Sequence, residues 1–291
     1  MRTSLAGASN PMVQTKRGRP FVLEGGAKDW PSASLWSLDW LAGTHGALPV
    51  TVSLGGMSVS DGFATRDTTL AAFLEQLGHG DALDAGFLGT VDLGRHIPAL
   101  KEHTRFPPTG AIRALSHTNY WIGPPGWLSQ LHCDFAHNFL VQVRGRKRVE
   151  LYAPSVVPAA DQCRQTWYSC SATWDYPDAQ PGPRPPPDFD AVLEPGDILF
   201  IPYGWWHRAR YLETCIAVNQ WWMTPRMLAA RAPQLAREGA AALQLRWALF
   251  RIARRYASDA PVSPAPPAGP GASASARPDG SEPGEVPETR G

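Results

Sequence analysis

The C-terminal half of the chain alternates short apolar runs with turns rich in glycine and proline. From about residue 112 onward, the runs expected to form strands are Tyr120–Ile122, Phe139–Val143, Val149–Tyr152, Ala191–Leu193, Ile198–Ile201, Arg210–Leu212 and Cys215–Trp222. Strands at such regular intervals, separated by turn residues, are typical of a β-sandwich or a small barrel.

The N-terminal part mixes helix and strand patterns. Pro49–Leu54 alternates polar and apolar positions and predicts a strand. Leucines and a phenylalanine recur with helical spacing over Leu70–Leu77, which predicts an amphipathic helix capped by Asp67–Thr69 and ended by Gly78. Ser37 is expected to cap a shorter helix.

These patterns divide the chain into five segments. We expect a flexible N-terminus over residues 1–19, an α/β extension over 20–82, a β-rich domain over 83–225, a helical segment over 226–257 and a disordered tail over 258–291. The tail holds eight prolines and no aromatic residue. It therefore buries too little apolar surface to offset the entropy of ordering.

Two further segments lie outside the strand pattern. Residues 177–187 are proline-rich and are expected to form a loop. In the helical segment, Leu245, Leu249, Ile252 and Tyr256 form an apolar stripe. The stripe either packs against its own domain, which is the simpler interpretation, or forms the contact of a homodimer.

Composition narrows the class of protein. Of the 291 residues, 43% are hydrophobic, and the 27 Lys and Arg against 26 Asp and Glu give a formal charge of +1. Because the chain is nearly neutral, we do not expect it to bind nucleic acid, since contacts with phosphates require many Lys and Arg side chains. No segment reaches the roughly 20 apolar residues of a membrane span. With no secretory signal pattern at the N-terminus, we expect a cytoplasmic protein whose four cysteines are free thiols.

One short segment carries a candidate metal site. In a strand, residues i and i+2 point the same way, so His132 and Asp134 present an imidazole and a carboxylate together while Cys133 faces away. His207 opens a strand 75 residues later, after a Pro-Gly-Asp turn, an apolar strand and a second turn. Two histidines and one carboxylate form a facial triad with open coordination positions, the arrangement of non-haem Fe(II) oxygenases. Zn(II) is the less favoured metal, because catalytic zinc usually keeps a four-coordinate site.

His137 competes with these residues as a ligand. It follows Asp134 by three positions and would reach the same ion if the segment were helical. Because Asn138–Val143 has the pattern of a strand, we expect His137 to line the pocket or face solvent instead.

A lysine lies among apolar side chains on the following strand. Arg144–Arg146 predicts a hairpin turn, and beyond it Lys147 shares a face with Val149 and Leu151. A buried ammonium is costly unless it is paired. Either an anionic ligand inside the barrel pairs Lys147, or the lysine reaches water from its position beside the turn. The arginines of this region, Arg144, Arg146 and Arg148, are expected to form a solvated charge cluster.

Four separated motifs together resemble a known family. Tyr120–Asp134, Asn138–Lys147, Glu194–His207 and Asn219–Trp222 are similar, in this order, to the JmjC or cupin-like Fe(II)- and 2-oxoglutarate-dependent oxygenases. The resemblance covers about residues 20–225 and is closest to the small protein-hydroxylase branch, which includes factor-inhibiting-HIF-type enzymes. It implies a mainly β fold with flanking helices: a double-stranded β-helix of jelly-roll type with an N-terminal α/β extension and C-terminal helices.

The resemblance also implies roles for particular residues. His132, Asp134 and His207 match the iron ligands, and no catalytic residue beyond them is implied. The residues implied to bind the cosubstrate or wall its pocket are Lys147, Ser129, Asn138, Asn219 and Trp121. Of these, Lys147 and Ser129 match residues that hold the far carboxylate of 2-oxoglutarate.

The implied reaction uses Fe(II), 2-oxoglutarate and O2. It would hydroxylate a C–H bond of a protein side chain or small molecule and release succinate and CO2, and on an N-methyl group it would cause demethylation. Trp127 and Gln130 depart from the family pattern, where relatives often have Thr or Val and Pro, which leaves the substrate open. The alternatives are a non-catalytic cupin that binds a metal or ligand, and an RNA-modifying hydroxylase.

Overall fold

The computed structural model of the chain describes residues 2–4, 15–54, 64–78, 85–91, 93–109, 116–158, 161–164, 169–172 and 185–230. In chain order the strands are β1 (Arg2–Ser4), β2 (Phe21–Glu24), β3 (Pro49–Leu54), β4 (Ala64–Thr69), β5 (Leu88–Val91), β6 (His117–Gly123), β7 (His132–Asp134), β8 (His137–Arg144), β9 (Lys147–Tyr152), β10 (Gln162–Arg164), β11 (Ser169–Ala172), β12 (Phe189–Leu193), β13 (Ile198–Ile201), β14 (Trp206–Tyr211) and β15 (Cys215–Trp222). The helices are α1 (Pro31–Leu35), α2 (Leu38–His45), α3 (Leu70–Gly78), α4 (Leu93–His96) and α5 (Ala99–Glu102), and residues 225–230 are also helical.

Two large sheets form the body of the fold. The larger has the order β1-β2-β13-β8-β15-β6-β5, and the smaller has the order β10-β11-β7-β14-β9-β12. From β6 to β9, and again from β12 to β15, successive strands alternate between the two sheets, and pairing in both sheets is antiparallel except between β1 and β2. This is the double-stranded β-helix of a jelly roll, so the predicted fold class is confirmed.

The larger sheet is buried on both faces, which explains its nearly continuous apolar strands. On β8, Phe139 and Val141 face outward and belong to the same apolar cluster as the buried Phe73 and Leu74 of α3. Leu140 faces the opposite way, into an apolar cluster to which both sheets contribute. The helices therefore cover one face of this sheet, while the other face lines the interior between the sheets.

Helix boundaries follow the caps that the sequence contains. The Ser37 hydroxyl accepts a hydrogen bond from the Trp40 backbone N–H, which satisfies one free donor at the start of α2. Thr69 does the same for Ala72 at the start of α3. Both helices lie where the sequence predicted them.

The turn between β8 and β9 lies where it was predicted, but it is not a hairpin, because β8 pairs with β13 and β15 in one sheet whereas β9 pairs with β12 and β14 in the other. Gly145 at its tip has φ of +67°, a left-handed conformation that favours glycine. A Cβ atom at this position would lie 2.2 Å from the Thr214 carbonyl oxygen. The turn is therefore held against the β14–β15 connection, which fixes where β9 begins.

The structure differs from the sequence interpretation in several elements. Arg2–Ser4, within the segment expected to be flexible, forms strand β1 because it pairs with β2. Residues 64–69 form a strand paired with β3, although the sequence suggested only a helix cap at Asp67–Thr69. The strand predicted at Arg210–Leu212 starts four residues earlier, at Trp206, because β14 pairs with β7 as well as with β9. Within the segment assigned to the N-terminal extension, Phe21–Glu24 adds a strand to the larger sheet beside β13.

Several expectations concern residues outside the described ranges. These are most of the flexible N-terminus, most of the proline-rich loop, the apolar stripe of the helical segment and the tail. Cys133 and Cys215 are buried free thiols, as expected. Every helix within the described ranges is too short or too polar to cross a bilayer.

Candidate functional site

A cavity of about 130 Å³ lies between the two sheets. All eight side chains that the sequence analysis assigned to the site line it: Trp121, Ser129, His132, Asp134, Asn138, Lys147, His207 and Asn219. They come from both sheets, so the cavity exists only once the jelly roll has closed.

His132, Asp134 and His207 meet at one end of this cavity. The potential ligand atoms of the three side chains all lie within 4.8 Å of one another. His132 and His207 are register partners on β7 and β14, and Nε2 of His207 is 3.7 Å from Oδ2 of Asp134. Cys133 points to the other face of β7, into an apolar cluster with Trp206. Strand alternation therefore separates the two candidate ligands from the cysteine between them.

Backbone carbonyls orient both imidazoles. Nδ1 of His132 lies 2.8 Å from the Gln130 oxygen, and Nδ1 of His207 lies 3.0 Å from the Trp205 oxygen. A carbonyl oxygen only accepts, so each Nδ1 carries the proton and donates it. Each Nε2 is left with a lone pair, the form in which histidine binds a metal.

Burial of the triad makes the charged form of Asp134 costly unless a cation is bound. Desolvation raises the pKa of Asp134 to about 6, although His132 and the Trp221 side chain oppose this shift. Desolvation, and then the charge of His132, lower the pKa of His207 to about 3. His207 is therefore neutral at pH 7 and forms no ion pair with Asp134. Oδ2 of Asp134 is buried and accepts no hydrogen bond from the described part of the chain.

This donor set fits a divalent metal ion. It offers two neutral imidazole nitrogens and one carboxylate whose charge has no protein counterion nearby. A bound cation would satisfy the orphaned carboxylate oxygen and offset the cost of its burial.

Lys147 lies on a neighbouring strand of the same sheet and is only 2% exposed. Its Nζ is 4.0 Å from the centre of the Tyr211 ring, a cation–π contact. Burial lowers the pKa of Lys147 to about 8. Among the described residues no carboxylate forms an ion pair with it. The lysine therefore does not reach bulk water, and the interior holds an ammonium that lacks an anion.

Ser129 and the two asparagines complete the polar lining. The Ser129 hydroxyl accepts a hydrogen bond from the Ala209 backbone N–H at 2.8 Å, so its own proton remains available to donate. Asn219 donates through Nδ2 to Oδ1 of Asn138 at 3.0 Å. The indole N–H of Trp121 in turn donates to Oδ1 of Asn219 at 2.8 Å.

His137 is outside the cavity, so the expectation that it lines the pocket is wrong; it is half-buried on the outward face of β8. Its ring packs 5.3 Å from Phe200 and 5.4 Å from Trp222, and its Nδ1 accepts the Tyr203 backbone N–H at 3.0 Å. Burial lowers its pKa to about 4. His137 has the parity of Phe139, which already places it on the outward face of β8.

Each arginine near the β8–β9 turn has a polar partner of its own. Arg144 donates to the Trp36 carbonyl, Arg146 pairs with Glu213 at 2.6 Å, and Arg148 forms two hydrogen bonds with Asp190. Arg146 and Arg148 are exposed to solvent, as expected, and each is paired with a carboxylate of its own.

Aromatic side chains that the sequence analysis did not assign to the site wall the rest of the cavity. Trp127 stacks on Phe87 with ring centres 4.7 Å apart and planes 11° apart, and Tyr211 meets Phe87 edge-on. Trp221 closes the wall beside Trp121, with ring centres 6.3 Å apart. The sequence signal for this wall was Trp127, which departs from the family pattern. Phe87 gave no such signal, because it reaches the cavity through tertiary contacts.

Comparison with known proteins identifies the family. The family model described as "Cupin-like domain" matches residues 11–227, which is most of the chain. Lysine-specific demethylase 8 from Xenopus tropicalis is 30% identical over 212 residues, covering 70% of this chain and 48% of that protein. tRNA wybutosine-synthesizing protein 5 from Gallus gallus is 27% identical over 234 residues, covering 71% of each chain. The chain thus spans about half the length of the demethylase.

Solved structures were compared in the same way. The ribosomal oxygenase YcfD from Escherichia coli, in complex with cobalt and 2-oxoglutarate, matches 88% of this chain and 59% of its own, with a TM-score of 0.44 and 22% identity. Its resemblance in sequence is thus lower than that of the two relatives above.

A jelly roll with a His-Asp-His triad in the cavity between its sheets defines a cupin-type metal-site protein. The chain belongs to the cupin-like JmjC domain family, as the sequence motifs predicted. The triad is of the kind that Fe(II)- and 2-oxoglutarate-dependent oxygenases use.

Proposed function

We propose that this protein is an Fe(II)- and 2-oxoglutarate-dependent oxygenase that hydroxylates a C–H bond and releases succinate and CO2. One observation carries the proposal: the metal-type triad shares a cavity with the buried ammonium of Lys147, which has no anionic partner among the described residues. The triad alone would suit any metal-binding cupin. The lysine adds a requirement for an anionic ligand in the same cavity.

The triad suits Fe(II) because two imidazoles and one carboxylate on one face leave coordination positions open. When bound, Fe(II) and 2-oxoglutarate supply the oxidative chemistry with O2. The protein holds His132 and His207 in the correct tautomer through the Gln130 and Trp205 carbonyls. It also excludes bulk water from Asp134, which is 4% exposed.

The opposite end of the cavity suits the far carboxylate of 2-oxoglutarate. Lys147 would donate to this carboxylate and gain the counterion that it lacks. Ser129 would donate its hydroxyl proton, since its oxygen already accepts from Ala209. A dicarboxylate would thus lie between the ammonium and the metal ligands, with its keto acid end toward the triad.

The remaining wall is apolar and aromatic, and we assign no acid–base catalyst to it. Phe87, Trp121, Trp127 and Tyr211 exclude water and shape the space for substrate. The substrate would be a protein side chain or a small molecule. Oxidation of an N-methyl group would make the same enzyme a demethylase, the activity named in the relative from Xenopus tropicalis.

Turnover of the cosubstrate tests the proposal. Purified protein is incubated with Fe(II), 2-oxoglutarate and O2, and cell extract supplies substrates. We expect succinate to form and an extract component to gain the mass of one oxygen atom. His132→Ala should abolish both signals, whereas His137→Asn, a change outside the cavity, should retain them.

The same assay distinguishes the proposed oxygenase from a non-catalytic cupin that only binds a metal. Tight binding of Fe(II) with no consumption of 2-oxoglutarate, with and without extract, would contradict the proposed reaction and leave a metal-binding cupin.

A further inference from the structure

Two amides and one indole that line the cavity form a continuous hydrogen-bond chain, and a third amide, outside the lining, joins it. Oδ1 of Asn219 accepts from Nε1 of Trp121 at 2.8 Å and from Nδ2 of Asn119 at 3.3 Å. Nδ2 of Asn219 donates to Oδ1 of Asn138 at 3.0 Å. The three asparagines are buried and lie on β6, β15 and β8, so the chain crosses the centre of the larger sheet.

The indole sets the direction of every bond in this chain. An indole N–H only donates, whereas an amide side chain can rotate to exchange its oxygen and nitrogen. Trp121 therefore requires the oxygen of Asn219 to face it, which turns the NH2 of Asn219 toward Asn138. That NH2 in turn requires the oxygen of Asn138. The Asn138 NH2 is left without a hydrogen bond among the described residues, and its side chain lines the cavity.

We propose that Trp121 and Asn219 are positioning residues that fix the Asn138 amide so that it presents donors, not its oxygen, to the cosubstrate. The inference rests on the proposed function, because the ligand that accepts this hydrogen bond is 2-oxoglutarate. A fixed donor attracts a carboxylate or keto oxygen, whereas the reversed amide would place its own oxygen against the anion. The chain thus orients one more donor besides Lys147 and Ser129 toward the dicarboxylate.

Two variants break the chain in different ways. Trp121→Phe keeps an aromatic wall but removes the indole donor. The chain then contains only amides, Asn119 included, and all of them can exchange oxygen and nitrogen by rotation. Asn219→Asp keeps the acceptor for Trp121 and the shape of the side chain, but it has no NH2. The Asn138 amide would then turn its own NH2 toward the new carboxylate and present its oxygen to the cavity.

The measurement is 2-oxoglutarate binding, by calorimetry, to protein loaded with Mn(II) in place of Fe(II), so that no turnover occurs. Loss of one hydrogen bond to a charged group weakens binding by on the order of tenfold. We expect this loss in Trp121→Phe and a larger one in Asn219→Asp. Mn(II) affinity, measured separately, should be unchanged in Trp121→Phe.

A matched control distinguishes orientation from packing. Asn119→Ser removes the other donor to the same oxygen of Asn219 but leaves Trp121 in place. Because the indole alone fixes the amide, this variant should bind 2-oxoglutarate like the unmodified protein. Since both variants act on one amide, the effect of the Trp121→Phe and Asn219→Asp double change should be less than the product of the single effects.

The outcomes separate this inference from the proposed function. If the unmodified Mn(II) protein fails to bind 2-oxoglutarate, both fail. If it binds but Trp121→Phe and Asn219→Asp bind equally well, only the positioning role is overturned. A loss in Asn119→Ser as large as in Trp121→Phe would also overturn it, since it would indicate general disruption of the sheet.

Discussion

His132 and His207 face each other across neighbouring strands, with ring centres 4.2 Å apart. The pairing of β7 with β14 makes them register partners, so the backbone itself brings two imidazoles from distant parts of the chain together. Asp134 joins them because it lies two residues beyond His132 on the same face of β7. The metal-type site is thus as rigid as the strand pair that carries it.

Metal binding should stabilise the protein measurably. A ligand that binds only the folded state adds about 2.7 kcal/mol to the free energy of unfolding when present at 100 times its Kd. We expect Mn(II) to raise the Tm of the unmodified protein and of His137→Asn, but not of His207→Ala. Differential scanning fluorimetry with and without chelator makes the comparison. An equal rise in His207→Ala would show that the ion binds elsewhere.

Lys147→Met should stabilise the ligand-free protein while abolishing 2-oxoglutarate binding. Burial lowers the pKa of Lys147 from 10.5 to about 8, so the folded state disfavours the ammonium, by on the order of 3 kcal/mol at pH 7. Because the unfolded chain holds the proton up to higher pH, this cost persists below pH 8 and fades as the pH rises toward 10.5. The advantage of the variant should therefore shrink over that interval.

Urea unfolding of Lys147→Met between pH 7 and 10 checks this expectation. Lys28→Met, at an exposed lysine, is the control and should show no such gain. If the ligand-free Lys147→Met protein is less stable than the original at pH 7, then the ammonium has a partner and the argument for an anionic ligand weakens.

Gly145→Ala should lower the free energy of unfolding far more than Gly18→Ala, although the two glycines have similar backbone conformations. Gly145 and Gly18 both have positive φ, at +67° and +62°, but only at Gly145 would a Cβ atom meet the Thr214 oxygen. The backbone alone costs roughly 1–2 kcal/mol in each case. We expect Gly145→Ala to exceed about 3 kcal/mol, since the β14–β15 connection must also move.

Chemical denaturation of the two variants measures this difference. Gly145→Ala should also weaken 2-oxoglutarate binding, because Lys147 follows two residues later. Equal losses of stability in Gly145→Ala and Gly18→Ala would contradict the close approach to Thr214.

His137 should make the protein sensitive to acid. Burial lowers the pKa of His137 from 6.5 to about 4. Between pH 4 and pH 6.5, the imidazole is therefore protonated in the unfolded chain but neutral in the folded state. Stability from this group is present above pH 6.5 and is lost as the pH falls toward 4, by up to about 3 kcal/mol. His137→Asn retains an acceptor for the Tyr203 N–H and should flatten the decline. Unfolding free energies at pH 7, 5.5 and 4.5 test it, and an unchanged slope would contradict it.

Local strand geometry explains what the sequence could predict. The opposite directions of Cys133 and Asp134, and the inward direction of Lys147, follow from alternation along single strands. The same rule would have placed His137 on the outward face with Phe139, but its proximity in sequence to Asp134 favoured a position in the pocket. Parity is thus the stronger guide in a strand.

Tertiary pairing explains what the sequence could not predict. Residues 64–69 carry polar and charged side chains with no apolar alternation, so their strand exists because β3 pairs with them. Phe87 reaches the cavity because β5 lies beside β6 at the edge of the larger sheet. The direction of the amide chain depends on three strands at once, and no single segment contains that information.

Strand β14 sets the distance between the metal-type triad and the position of Lys147. His207 lies near its start, and Tyr211, the register partner of Lys147, lies at its end, four residues or roughly 13 Å along the strand. One inserted residue would turn one of these side chains out of the cavity, whereas two would keep both inside but separate them by roughly 7 Å more. The spacing along β14 therefore sets the distance that the proposed dicarboxylate has to span between the metal-type triad and Lys147.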